Sequence, residues 1–173
     1  MIDLPHSGLS VPNTDLHVVE YREEMGLATI CITAVLAVGQ RIVGTAEHDG
    51  GDDDRTRFRP APDSDFSWQD LEGFAVQCRR HGEPVSVDEV LDCLVDEYEL
   101  ARRLALAEER GKTLARTVLR DGYPESVIDI DPPATAAHRD ALAARLAETP
   151  LPEGARWEIW DGQRWTALTE PTP

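Results

Sequence analysis

The sequence predicts an α+β fold: a single domain of mostly antiparallel sheet, made of N-terminal strands and C-terminal hairpins, packed against two or three helices. Three observations predict it. Residues 16–59 hold β-branched and alternating stretches separated by glycine and aspartate turns. Residues 67–110 hold apolar residues at three- and four-residue steps behind serine caps. Residues 156–168 read as two short strands around Asp161-Gly162. The element order ββββ–αα–ββ–α–ββ is that of an α+β chain.

Residues 1–14 contain Pro5, Gly8, Pro12 and Asn13 and read as an irregular arm ahead of a domain spanning 15–168. Leu16–Arg22 has strand character, and Glu23–Gly26 turns the chain. Leu27–Val38 is apolar on both faces, as a central strand requires. Gly39-Gln40 is a tight connection to a third strand, Arg41–His48. His48–Asp54 is an acidic glycine loop, and Arg55–Arg59 is an edge strand whose alternating charge blunts unwanted pairing.

Ser67 caps a helix expected to reach Arg80, with Trp68, Leu71, Ala75 and Cys78 at helical spacing. Ser86-Val-Asp-Glu89 is a capping box opening a long helix to about Arg110. Val87, Leu91, Leu94, Tyr98, Ala101 and Ala105 form its apolar stripe, expected to bury its first four members against the strand Leu27–Val38. Lys112–Arg120 and Ser126–Ile130 read as a hairpin, with a short helix as the alternative for 112–120. Asp131-Pro132 opens a third helix to about Ala147, with Asp131 as N-cap. In the last hairpin a two-residue turn pairs Trp160 with Gln163 and places Trp160 and Trp165 on one face. Residues 169–173 read as a frayed tail.

Charge narrows the function classes. The chain has 33 Asp+Glu against 17 Lys+Arg, a formal net charge of −16 over 173 residues. Such a chain lacks the basic footprint that attracts phosphates, so neither direct nucleic-acid binding nor an anionic membrane surface is expected. Its longest apolar run, Leu27–Val38, is too short to span a bilayer. The N-terminus has no basic segment followed by an apolar one, so a cytoplasmic address is expected. Cys31, Cys78 and Cys93 read as free thiols rather than a disulfide framework. No feature sets an oligomeric state, and no cofactor motif is present.

The catalytic candidates are sparse. Gly111-Lys112-Thr113 lacks the earlier glycine and the preceding strand of a phosphate loop. Asp49, Asp52 and Asp54 are candidate oxygen ligands for a divalent cation, and His48 beside them is a candidate base for metal-assisted hydrolysis, but clustered Gly and Asp are ordinary turn chemistry. The partner-binding candidates are better defined. Asp88, Asp92, Asp96 and Glu99 form one helical ridge with steps of four, four and three residues. Trp160 and Trp165 are aromatic anchors of the kind found at binding hot spots.

Two stretches carry resemblances. Gly39-Gln-Arg-Ile-Val-Gly-Thr-Ala-Glu-His-Asp-Gly-Gly51 resembles the "G-K-x-V-x-x-x-x-N-D-G-x-G-G" hairpin of small uncharacterised phage and mobile-element proteins, with His48 in place of the Asn. In those proteins a helix like Val90–Arg103 and a segment like Lys112–Arg120 follow. Trp160-Asp-Gly-Gln-Arg-Trp-Thr166 is similar to a short "W-D-G-x-x-W-T" module of actinobacterial proteins. Neither resemblance implies an activity. The function expected from charge and pattern together is a non-enzymatic factor, an accessory or counter-defence protein of a mobile element, that binds the basic surface of another protein. The alternatives are a DNA-mimic nuclease inhibitor or toxin-immunity protein, built on the acidic ridge, and a metal-dependent hydrolase built on the His48–Asp54 loop.

Overall fold

A computed structural model describes residues 1–25, 30–50 and 55–172. The class is α+β, with antiparallel sheets packed against three helices. The chain divides into two compact units, Met1–Leu100 and Ala101–Pro173.

The first unit contains two sheets. One has the order β3-β4-β5-β6, from β3 (Leu16–Met25), β4 (Ile30–Val38), β5 (Arg41–His48) and β6 (Arg57–Pro60). Gly39-Gln40 makes the predicted tight turn, with Val38 paired to Arg41 and Gly39 at φ +59°. β6 is the predicted edge strand. The expected Leu27–Thr29 start of β4 and residues 51–54 of the acidic loop lie outside the described residues.

The second sheet has the order β1-β2-β7-β8, from β1 (Ile2–Asp3), β2 (Leu9–Val11), β7 (Arg79–Arg80) and β8 (Glu83–Pro84). It overturns two expectations. The segment 1–14 is not an irregular arm: Leu9 and Val11 are core residues, and the Glu97 carboxylate accepts the backbone N–H of His6 at 2.9 Å and of Ser7 at 2.8 Å. The first helix, α1, spans only Trp68–Ala75, because Arg79 and Arg80 pair with Ser10 and Leu9. A turn through His81 (φ +52°) and Gly82 (φ +86°) then reverses the chain. Ser67 is the N-cap as read, and the structure adds Asp70, whose carboxylate completes a capping box with it.

Helix α2 (Val87–Glu108) opens on the Ser86–Glu89 capping box, with Ser86 N–H donating to Glu89 at 2.8 Å. It ends at Gly111 (φ +68°), where Lys112 N–H bonds Ala107 O and Gly111 N–H bonds Glu108 O, a Schellman cap. That cap is the structural use of Gly111-Lys112. Leu91 and Leu94 are buried, and Val87 and Tyr98 pack half-buried against the same core. Ala101 and Ala105 are exposed instead. Beyond Leu100 the helix belongs to the second unit, where Leu104 and Ala107 are its buried residues.

The second unit is one sheet of order β10-β9-β11-β12 with α3 (Ala136–Ala147). The predicted hairpin is β9 (Thr113–Val118) with β10 (Pro124–Ile130). The N-cap of α3 is Thr135, accepting from His138 N–H, not Asp131. Pro133 disfavours helical geometry at Pro132, so the chain stays out of the helix past both prolines, and Asp131 pairs with Lys112 at 2.6 Å. Strands β11 (Arg156–Trp160) and β12 (Trp165–Ala167) form the C-terminal hairpin, but its loop is Asp161–Arg164. The Asp161 carboxylate accepts from Gln163 and Arg164 N–H at 3.0 and 2.9 Å, which opens the expected two-residue turn. Trp160 therefore faces Trp165 directly, and Glu158 faces Ala167. The tail is tied down, with Thr172 N–H on Ala155 O at 2.9 Å and Gly154 N–H on Thr172 O at 2.8 Å.

Candidate partner-binding surface

The ladder between β3 and β4 assigns the paired side chains of these two strands to a face. A bulge lies between Val18 and Glu20. Beyond it Tyr21, Glu23 and Met25 stand opposite Ala34, Ile32 and Ile30, all on the face that meets the core. Glu20, Arg22 and Glu24 stand opposite Val35, Thr33 and Cys31 on the other face. Ala34 is fully buried, and Tyr21 and Ile32 are half-buried against the same core. The last pair leaves the core behind: Ile30 is 54% exposed and Met25 90%. The hairpin thus projects as an arm whose apolar strip continues past the core by about 7 Å, two residues of strand rise. One carboxylate, Glu23, borders the strip on its own face, and Glu20 and Glu24 lie on the opposite face. Glu23 accepts from the Tyr21 hydroxyl, and Glu20 accepts from Arg22 Nε at 2.6 Å.

The acidic ridge of α2 has a different setting. Asp88, Asp92, Asp96 and Glu99 lie on the helix as the spacing predicted, but all four are half-buried. Asp92 accepts from the buried Thr56 hydroxyl. Neighbouring Glu97 holds the His6-Ser7 backbone and also accepts from Ser7 Oγ at 3.1 Å. The helical placement is right, and this neighbourhood of α2 spends carboxylates on holding the fold together.

Trp160 and Trp165 share a face, with ring centroids 5.5 Å apart at 63°. Trp160 is buried and Trp165 half-buried, both packed with Leu104, Ala107 and Leu114. The Arg116 guanidinium lies 4.1 Å from the Trp165 ring centre and bonds Glu158 at 2.9 and 3.1 Å. Trp157, on the opposite face, is 4% exposed. These rings therefore pack the second unit's interior; a hairpin apolar on both faces is covered on both.

The loop candidates separate. Asp49 is exposed and lies 3.9 Å from Arg57, while Asp52 and Asp54 fall outside the described residues. No group of three or more His, Cys, Asp or Glu side chains arranged to hold a metal occurs among the described residues. Cys31 and His48 line the same cleft of about 500 Å³, with Glu47, Asp49 and Arg57. The ladder opposes their pairing as nucleophile and base, because His48 registers with Ile32 on the core face and Cys31 lies one residue out of phase. The Cys31 thiol instead meets Asp49 O at 3.6 Å. Burial pushes the other thiols up, Cys78 to about 11 and Cys93 to about 12, so both stay protonated at neutral pH.

Met25 and Ile30 are the surface residues the sequence reading missed. The sequence places Met25 inside an expected turn, Glu23–Gly26, whereas Glu23–Met25 continue β3 in register with Ile32–Ile30. Comparison with protein-family models, with curated proteins and with solved structures gives no match to this chain.

Proposed function

We propose that the protein is a non-enzymatic, acidic protein-binding factor that engages a basic partner surface through the β3–β4 arm. The observation that carries this reading is the apolar strip Ile32–Ile30–Met25, which runs out of the core into solvent beside Glu23, with Glu20 and Glu24 on the opposite face of the same strand. An apolar centre with a charged rim is the anatomy of a protein interface, with charge selecting the partner and speeding encounter. The net charge of −16 favours a basic partner. The setting of a mobile-element accessory or counter-defence factor rests on the sequence resemblance.

The test is capture from the native host with wild type and with Met25→Ser/Ile30→Ser, both in a salt titration. The reading predicts a partner retained at low salt by wild type, released as salt rises, and absent from the double variant. Equal capture by both proteins would overturn the arm as the site.

A further inference from the structure

We infer that β3 is an acceptor edge, to which a partner adds an extended, basic, amphipathic segment as a further strand alongside Glu20–Met25. The inference rests on the reading of the arm as a partner-binding surface and adds the mode of recognition and the chemistry of the segment.

Among the described residues β3 has a hydrogen-bonded neighbour strand on one side only, β4. The opposite edge of the same sheet, β6, is blunted. It is four residues long, ends in Pro60, and its arginines face β5-side acids, Arg59 to Glu47 at 3.0 Å and Arg57 to Asp49 at 3.9 Å. β3 is ten residues long and contains neither proline nor glycine. Helix α2 touches this strand at its base, where the Tyr98 hydroxyl donates to Val19 O at 3.2 Å beside the bulge. From Glu20 to Met25 every residue except half-buried Tyr21 is exposed. That stretch is about 20 Å of strand, the length of an ordinary added strand.

The side chains specify what would pair. An added strand continues both faces of the sheet, so its residues alternate between two environments. On one face they meet Glu20, Arg22 and Glu24; Arg22 is already bonded to Glu20, which leaves the face acidic and calls for Lys or Arg. On the other they meet Tyr21 and Met25, which call for β-branched apolar residues, with Glu23 between them. The same charges discriminate against a second copy, since two β3 edges brought together set mostly carboxylates against carboxylates. The occupant is therefore a partner segment in which basic and apolar residues alternate.

The experiment uses the full chain and a ten-residue synthetic peptide alternating Arg and Val, read by backbone amide hydrogen exchange and by titration. The expected result is saturable binding with slowed exchange confined to Glu20–Met25 amides. Glu23→Lys/Glu24→Lys should weaken it at least tenfold, and the peptide N-methylated at alternate residues should not bind, because it lacks half of the main-chain donors. No protection of Glu20–Met25 at millimolar peptide, protection elsewhere, or undiminished binding of the N-methylated peptide would overturn strand addition. A concentration-dependent dimer of the free protein with those amides protected would assign the edge to a second copy and overturn it too. If strand addition fails while host capture still depends on Met25 and Ile30, the arm remains the binding surface and only the mode of recognition is wrong.

Discussion

Arg116 on β9 stands directly across the ladder from Glu158 on β11, and both ends of this ion pair are buried, 8% and 7% exposed. Arg156 bonds the second carboxylate oxygen at 2.6 Å, so one buried acid is held by two guanidinium groups. The Trp165 ring covers Arg116. Truncating Arg116 removes two of the charged hydrogen bonds of a buried acid and leaves it only the half-buried Arg156. Arg116→Met should therefore destabilise the protein by about 3 kcal/mol, whereas Arg116→Met/Glu158→Leu should recover most of the loss. Urea unfolding of the three proteins measures both steps; equal losses for single and double variants would contradict the pair's role.

Glu97 organises the N-terminal segment by accepting from two backbone N–H groups and one hydroxyl. Glu97→Ala strands those donors, a loss of about 1–3 kcal/mol. Amide exchange at His6 and Ser7 should accelerate, and the Leu9–Val11 pairing with β7 should loosen with it, while exchange in β9 stays unchanged.

Gly44 permits a close approach. A Cβ there would lie 2.4 Å from the Arg59 carbonyl oxygen and 2.5 Å from the Phe58 ring. The carbonyl belongs to a paired strand and cannot swing away. Gly44→Ala should cost about 1–3 kcal/mol, read as a lowered melting temperature, although alanine suits a strand better than glycine does.

Backbone N–H groups of Arg164 and Gln163 hold the exposed Asp161 carboxyl below its usual 3.8. A depressed folded-state value contributes stability above the unfolded pKa, and that contribution is lost as pH falls through the folded one. The Asp161 carboxyl should thus titrate below 3.8 in a carbon-detected NMR series. Exchange of the Gln163 and Arg164 amides should quicken as the pH drops through that midpoint, and Asp161→Asn should remove the pH dependence.

Much of the fold was legible because its signals are local. The Ser67 N-cap, the Ser86 capping box, the Gly39-Gln40 turn and the β9–β10 hairpin each sit within a few residues of sequence. The strands β1, β2, β7 and β8 were illegible, since two or three residues carry no periodicity and the β2–β7 pairing that joins them links residues about 70 apart, as Leu9 to Arg80. Asp161-Gly162 misled because a side chain that favours a tight turn also captures the amides two and three residues on, of Gln163 and Arg164. For the site, composition pointed to acids and tryptophans, but burial decides which of them reach a partner. Asp88, Asp92, Asp96 and Glu99 are half-buried and Trp160 is buried, while Met25 and Ile30 face solvent.

The claim that the β3–β4 arm is the partner-binding surface is tested most directly by mapping the footprint of the captured partner by amide hydrogen exchange. The account predicts protection confined to Tyr21–Met25 and Ile30–Ile32, deeper at low salt. Protection centred on Asp88–Glu99 of α2, or on the Trp160–Trp165 hairpin, with the arm exchanging as in the free protein, would contradict it.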